Sequence, residues 1–149
     1  MRAAVFALTA QGALTARRVQ AVLPEVDVFV SSRCRVSYPE ARAFWRLAES
    51  VQENFSRYDA LIFLMATGIV VRTVAPLLRG KLVDPAVLVL DERARHVISL
   101  LSGHVGGANM LTRQLALALG SDAVITTATD VEGMLAPDAV AGCLGLSPT

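Results

Sequence analysis

Short apolar runs separated by polar turns recur along the chain, and their lengths alternate between those of strands and those of helices. Ala3 to Leu8 is a compact apolar run containing Val5 and Phe6, suited to a buried strand. A turn-like gap at Thr9 to Gly12 leads into a helix predicted from about Ala13 to Leu23, where Pro24 stops it. Val26 to Val30 reads as a second strand. Ser37-Tyr38-Pro39-Glu40 carries the signature of a helix start: Ser37 as cap, Pro39 in the first turn and Glu40 three residues after the cap. Phe44, Leu47, Ala48, Val51 and Phe55 then repeat on one helical face, with Arg42, Arg46, Glu49 and Glu53 on the other.

Asp59 to Met65 is apolar on both faces, as expected for a central strand of a covered parallel sheet. Thr67-Gly68 opens a segment from Ile69 to Leu78 that Pro76 should kink or split. Val87 to Leu90 and Val97 to Leu101 are two further strands. The connection between them, Asp91 to Ala94, is too short for a crossover helix, which implies a hairpin and one antiparallel strand. The glycine-rich loop Gly103 to Gly107 leads into a helix from Ala108 to Leu119, closed by Gly120. Ala123 to Thr126 is a last strand, and Leu135 to Leu146 a weak helix. The expected fold is α/β: a single Rossmann-like domain over residues 1–149, with a mostly parallel, mixed sheet and helices on both faces.

Composition narrows the function classes. The chain has 149 residues, enough for one domain with a real core, and a formal net charge of +1. That balance gives no general pull toward nucleic acid or an anionic membrane. An aromatic content of 5% argues against a base-stacking surface. The longest apolar stretch, Leu61 to Val71, is too short to span a bilayer. Cys34 and Cys143 form neither a CxxC nor a metal-ligand pattern and read as free thiols in a reducing compartment. Met1-Arg2 before AAVFALTA resembles a short secretory leader, but the α/β pattern needs a strand there, so the expectation is a cytoplasmic domain.

Three loops carry candidate chemistry. Ser102-Gly103-His104-Val105-Gly106-Gly107-Ala108-Asn109 follows a strand and opens a helix, a setting in which backbone N–H groups can approach an anion. The plainer reading is a tight strand-to-helix turn. The spacing is neither GxGxxG nor GK[ST], so no nucleotide fingerprint is present. His104 could serve as general base or hydrogen-bond donor there; His96 reads as structural or edge-exposed. Met65-Ala66-Thr67-Gly68-Ile69-Val70-Val71-Arg72 is a second strand-to-helix loop, with Arg72, Arg79 and Lys81 adding positive charge; Arg79 reads more as a solvated turn residue than Arg72. Thr126-Thr127-Ala128-Thr129-Asp130-Val131-Glu132-Gly133 is a third, polar loop with Asp130 as a candidate acid or base, or an ordinary Asp/Thr-rich loop. All three loops are expected to converge on one sheet edge. Two isolated histidines without a ligand set make no protein metal site.

Taken together in this order, MATGIVVR, DPAVLVLDE, SLLSGHVGGAN and ITTATD resemble the N-terminal region of the CbiG family of cobalt-precorrin-5A hydrolases, with residues 62–133 carrying the likeness. The resemblance implies a role in the anaerobic branch of cobalamin synthesis: opening a lactone on a cobalt-corrinoid and releasing acetaldehyde. It implies no cofactor, since the cobalt belongs to the substrate. It also implies a linker region and C-terminal domain, which have no counterpart up to Thr149. Under this reading, Thr67, Gly68, Arg72, Ser102, Gly103, Gly106, Gly107, Asn109 and Thr127 are candidate substrate-binding residues. His104 or Asp130 is the candidate base, and the Gly106 and Gly107 N–H groups are candidate oxyanion donors. Glu132 stands where the family usually has Asn. Two other readings remain open: a stand-alone corrinoid-binding or regulatory module without turnover, and an unrelated nucleotide binder. The expected partners are a cobalt-precorrin and either a separate C-terminal-domain protein or a second copy of the chain, with no nucleic acid and no membrane.

Overall fold

The computed structural model describes residues 1–128. Seven strands form one sheet in the order β3-β2-β1-β4-β5-β6-β7. They are β1 (Ala3–Ala7), β2 (Asp27–Ser31), β3 (Arg42–Phe44), β4 (Ala60–Leu64), β5 (Ala86–Leu90), β6 (His96–Leu101) and β7 (Asp122–Val124). β1 to β5 are mutually parallel, β6 runs antiparallel to β5, and β7 runs parallel to β6. The mixed α/β architecture expected from the pattern is therefore present, including the hairpin inferred from the short Asp91–Ala94 connection.

Helices α1 (Ala10–Val22) and α4 (Ala108–Leu119) pack on one face through Ala13, Ala16, Val19, Leu111 and Leu115. Helices α2 (Leu47–Asn54) and α3 (Thr67–Val74) pack on the other through Val51, Val70 and Val74. The central strands β1, β4 and β5 are buried at every residue, which explains their continuous apolar runs. On the α2/α3 face Phe6 stacks between Phe29 and Phe63, with ring centroids 4.9 and 5.2 Å away. Pro76 ends α3 as foreseen: the helix stops at Val74 and a 3-10 turn, Ala75–Leu77, takes over.

One element differs. The helix expected to start at Ser37 begins only at Leu47, after a 3-10 turn (Ser32–Ser37) and the short edge strand β3. Glu40 makes no capping box. It pairs with Arg17 of α1 at 2.9 Å, while Arg17 also lies over the Tyr38 ring at 4.0 Å. Tyr38 is buried and its hydroxyl donates to Gln20. These long-range contacts extend the segment, and Phe44 enters the core from a strand rather than a helix. The expected weak helix from Leu135 to Leu146 lies outside the described residues. Among the described residues no helix is long and apolar enough to cross a membrane.

Candidate functional site on the amino edge of the sheet

The topology separates loops that look equivalent in sequence. β6 runs against β5, so Leu101 pairs with Val87 near the start of β5. The chain therefore leaves β6 on the edge where β1, β4 and β5 begin. The Gly103–Gly107 loop lies on this amino edge, and Thr67, Gly68 and Arg72 lie on the opposite, carboxyl edge. The expected convergence of all three loops is corrected: a hairpin strand delivers its following loop to the other end of the sheet. Thr127 does join the glycine loop, because its hydroxyl accepts from Asn109 Nδ2 at 3.1 Å. Asp130 lies outside the described residues.

The glycine loop is closed on itself. Ser102 adopts a left-handed φ of 60°, and Gly107, which precedes α4, has φ 83°. This turn folds the loop carbonyls over the start of α4. Gly107 N–H donates to His104 O at 3.2 Å, Ala108 N–H to Ser102 O at 3.1 Å and Asn109 N–H to Gly103 O at 2.9 Å. The start of α4 is thus not an open anion cradle, and the Gly107 N–H is already engaged. Gly103 and Gly106 are needed sterically: a Cβ on Gly103 would lie 2.8 Å from Asn109 Oδ1, and one on Gly106 only 2.4 Å from Ser102 Cβ. Asn109 is 3% exposed, and its Oδ1 accepts from Ser99 Oγ at 2.7 Å. It therefore ties β6, α4 and the loop after β7 together. His104 is exposed on the rim.

Beside this loop opens a cleft of about 660 Å³. Val105 and Gly106 form one wall, Asp84, Pro85 and Arg79 another, and Phe55, Tyr58 and Asp59 a third. Asp84 is held in place: its carboxylate accepts the backbone N–H groups of Arg79 and Gly80 at 3.0 to 3.1 Å. Asp59 accepts the Arg2 N–H at 2.8 Å. The Arg79 guanidinium meets only the Ser56 hydroxyl, at 3.4 Å, so it is a cation facing the cleft with no carboxylate partner among the described residues. Burial pushes the Tyr58 phenol up, and its 2.6 Å bond to Asp27 adds to this, so it stays a neutral donor near neutral pH. Arg79, read from sequence as a solvated turn residue, is the group that sequence reasoning undervalued. The Asp84-centred turn that positions it has no local signature.

The carboxyl edge is built differently. The strand order reverses between β1 and β4, the usual place for a ligand in an open α/β sheet. A cleft of about 380 Å³ is present there, lined mainly by apolar side chains such as Leu8, Ile69 and Ile98. A carboxylate of the chain itself, however, bonds the residue that caps α1. Thr9 Oγ1 accepts from Gly12 N–H at 2.9 Å and donates to Glu92 Oε2 at 2.6 Å, while the Glu92 carbonyl accepts from Thr15. Asp91 folds the same hairpin turn. Partial burial works to raise its carboxyl, but backbone N–H groups of His96, Arg95 and Arg93 outweigh that and hold it below the ordinary aspartate range. The start of α3 has no side-chain cap, and Arg72 folds back over Gly68, its Nη2 3.5 Å from where a Cβ would stand. His96 lies 3.6 Å from Asp122 and is edge-exposed.

Residues 49–130 match the family model for cobalamin synthesis G, N-terminal. The chain belongs to this family. It is 52% identical over 140 residues to the cobalt-precorrin-5A hydrolase of Salmonella typhimurium, covering 93% of this chain and 39% of that protein. It is 40% identical over 139 residues to the cobalt-precorrin-5A hydrolase of Priestia megaterium, covering 91% of this chain and 37% of that one. The chain thus spans under two fifths of the length of these curated relatives. A cobalamin biosynthesis protein G homolog from Sulfolobus solfataricus has the same fold, with a TM-score of 0.67 at 24% identity over 96% of this chain and 40% of that one. The family match takes in both strand-to-helix loops, so it does not by itself choose between the two edges.

Proposed function

We propose that this chain is the N-terminal part of a cytoplasmic cobalt-precorrin-5A hydrolase system, in which it holds the cobalt-corrinoid at the amino edge of the sheet. The observation that carries this reading is the 52% identity to a cobalt-precorrin-5A hydrolase over 93% of the chain. The amino-edge cleft suits such a ligand better than the carboxyl edge: it is the larger, and it presents the Arg79 guanidinium to the acetate and propionate groups of a corrinoid. In the reaction, water adds to the lactone carbonyl and the ring C–O bond breaks. The alcohol so released then loses its O–H proton and forms a C=O bond as its C–C bond to the macrocycle breaks, leaving as acetaldehyde while the macrocycle carbon takes up a proton. His104, exposed and next in sequence to the cleft-lining Val105, is the candidate base, and the Gly106 N–H, which meets no backbone acceptor among the described residues, is the remaining candidate oxyanion donor. One edge of one domain offers a large flat ligand a single wall, so a second wall from another domain or chain is part of the proposal.

The test is acetaldehyde release from cobalt-precorrin-5A, measured for the chain alone and together with the remainder of the system. Arg79→Ala should raise KM about tenfold while changing kcat little, and His104→Ala should lower kcat on the order of a hundredfold. No release under either condition would refute the activity, and unchanged kinetics for Arg79→Ala would move the ligand off the amino edge. A corrinoid-binding module without turnover is the second reading, favoured by the self-capped start of α4, where the N–H groups of Gly107, Ala108 and Asn109 are already engaged. It predicts corrinoid binding with no acetaldehyde in either condition.

A further inference from the structure

The two faces of the sheet are unequally covered. β6 is joined to β5 by a hairpin, so no crossover helix lies between them. Val97 of β6 is buried beside α4, but on the α3 side Ile98, Leu100 and Leu101 are only half-buried. Among the described residues no helix covers β6 and β7 on that side. At the border α3 leaves Val71 45% exposed, and the turn after it leaves Leu78 39% exposed. Two apolar hollows flank the helix. One of about 380 Å³ includes Ile98 and Val124, and a smaller one of about 120 Å³ lies between Val71, Leu78 and Leu100.

We infer that this side of β6 and β7, bordered by α3 and left uncovered by the described residues, docks the region that continues the chain in the longer family members, whether joined to it or supplied as a second chain. A largely parallel sheet is stable with both faces covered, and a contiguous apolar patch on its surface marks an interface. The curated relatives and the Sulfolobus homolog each hold more than half of their length outside the match with this chain, and the matched part is the family's N-terminal one. The strand through which the chain leaves the sheet is β7, which borders the bare face. The occupant is therefore an apolar-faced element of that following region. This inference rests on the family membership and deepens the two-wall proposal by naming where the second body sits. It does not depend on the lactone chemistry.

The experiment compares thiol labelling in two proteins. Val71→Cys, Leu100→Cys and Leu117→Cys are made singly in this chain, and cysteines are placed at the aligned positions of the intact Salmonella typhimurium relative. Labelling is followed by peptide mass spectrometry, with a melting curve for each variant. Leu117 is 88% exposed on α4, on the opposite face, and serves as the reference. At positions 71 and 100, labelling should be at least tenfold slower in the intact relative than in this chain, and at position 117 equal in both. Equal labelling at positions 71 and 100 in the two proteins would overturn the inference. So would slow labelling in this chain that speeds up on dilution, which assigns the face to a second copy, or slow labelling that ignores dilution, which assigns it to the chain's own residues beyond 128. Because labelling is independent of turnover, protection without acetaldehyde release would refute the proposed activity and leave the docking surface standing.

Discussion

Two loops of this chain follow a strand, contain glycine and open a helix, yet they are held by different physics. At Thr67-Gly68 on the carboxyl edge the glycine is a convenience: its φ is unremarkable, and an added Cβ would meet only the flexible end of Arg72. At Gly103–Gly107 on the amino edge, glycines are a condition of the turn. The left-handed Ser102 and Gly107 bring loop carbonyls onto the N–H groups that start α4, leaving no room for a Cβ at Gly106. The contrast shows that glycine next to a helix start does not by itself make a ligand cradle. One helix start is uncapped, and the other is capped by its own loop. The larger of the two clefts, into which Arg79 faces, lies beside the self-capped one.

The comparison can be broken most sharply at Gly106. Gly106→Val should destabilise the fold by about 2–3 kcal/mol, because Ser102 backbone and side chain must move together. A denaturant midpoint shifted by less than about 1 kcal/mol would show that the loop is looser than its geometry. Asn109→Ala comes next. It leaves the Ser99 and Thr127 hydroxyls without their buried partner and should cost about 2 kcal/mol, read from urea unfolding.

On the carboxyl edge the expected effects are smaller. Thr9→Ala removes both the cap of α1 and the Glu92 contact and should cost about 1 kcal/mol; a loss matching that of Asn109→Ala would erase the asymmetry between the edges. The hairpin turn should add an acid-dependent term. With its folded pKa below the unfolded one, Asp91 contributes stability above the unfolded aspartate range and loses it as pH falls through the lower folded value. A titration of urea midpoints from pH 6 down to pH 3 should flatten in Asp91→Asn; an unchanged slope would remove the turn from the account. Smallest of all, Gly68→Ala should stabilise by about 0.5–1 kcal/mol, through helix propensity alone. A destabilised variant would mean that the carboxyl-edge glycine is constrained as well.

Much of the fold was legible because its signals are local. The buried runs at Ala3–Ala7, Ala60–Leu64 and Ala86–Leu90 became the central strands, and Pro76 and Gly120 stopped helices where expected. The segment from Ser37 to Arg46 was misread for the opposite reason. Its capping signature is local and weak, and ion pairing of Glu40 with Arg17, together with burial of Tyr38 and Phe44, outweighed it. The site was half legible. The glycine loop and Thr127 do meet through Asn109, but Arg79 gains its place only from a turn built around Asp84, and that turn has no signature along the chain.

The amino-acid pattern alone determined the class of fold and the hairpin, because apolar period, chain-breaking residues and a connection too short for a crossover are properties of neighbouring residues; the family rested instead on the likeness of four motifs in order. The pattern even contained the reason why the loops must separate, since so short a connection forces β6 to run against β5 and to end on the opposite edge. Tertiary structure decided the rest. It set which loops share an edge, which N–H groups remain open, and which cation faces a cleft without a carboxylate partner among the described residues. The first depends on strand order, and the others on how a loop closes on itself at Gly103–Gly107 and around Asp84, where several contacts must form together and compete with local preferences of about the same size.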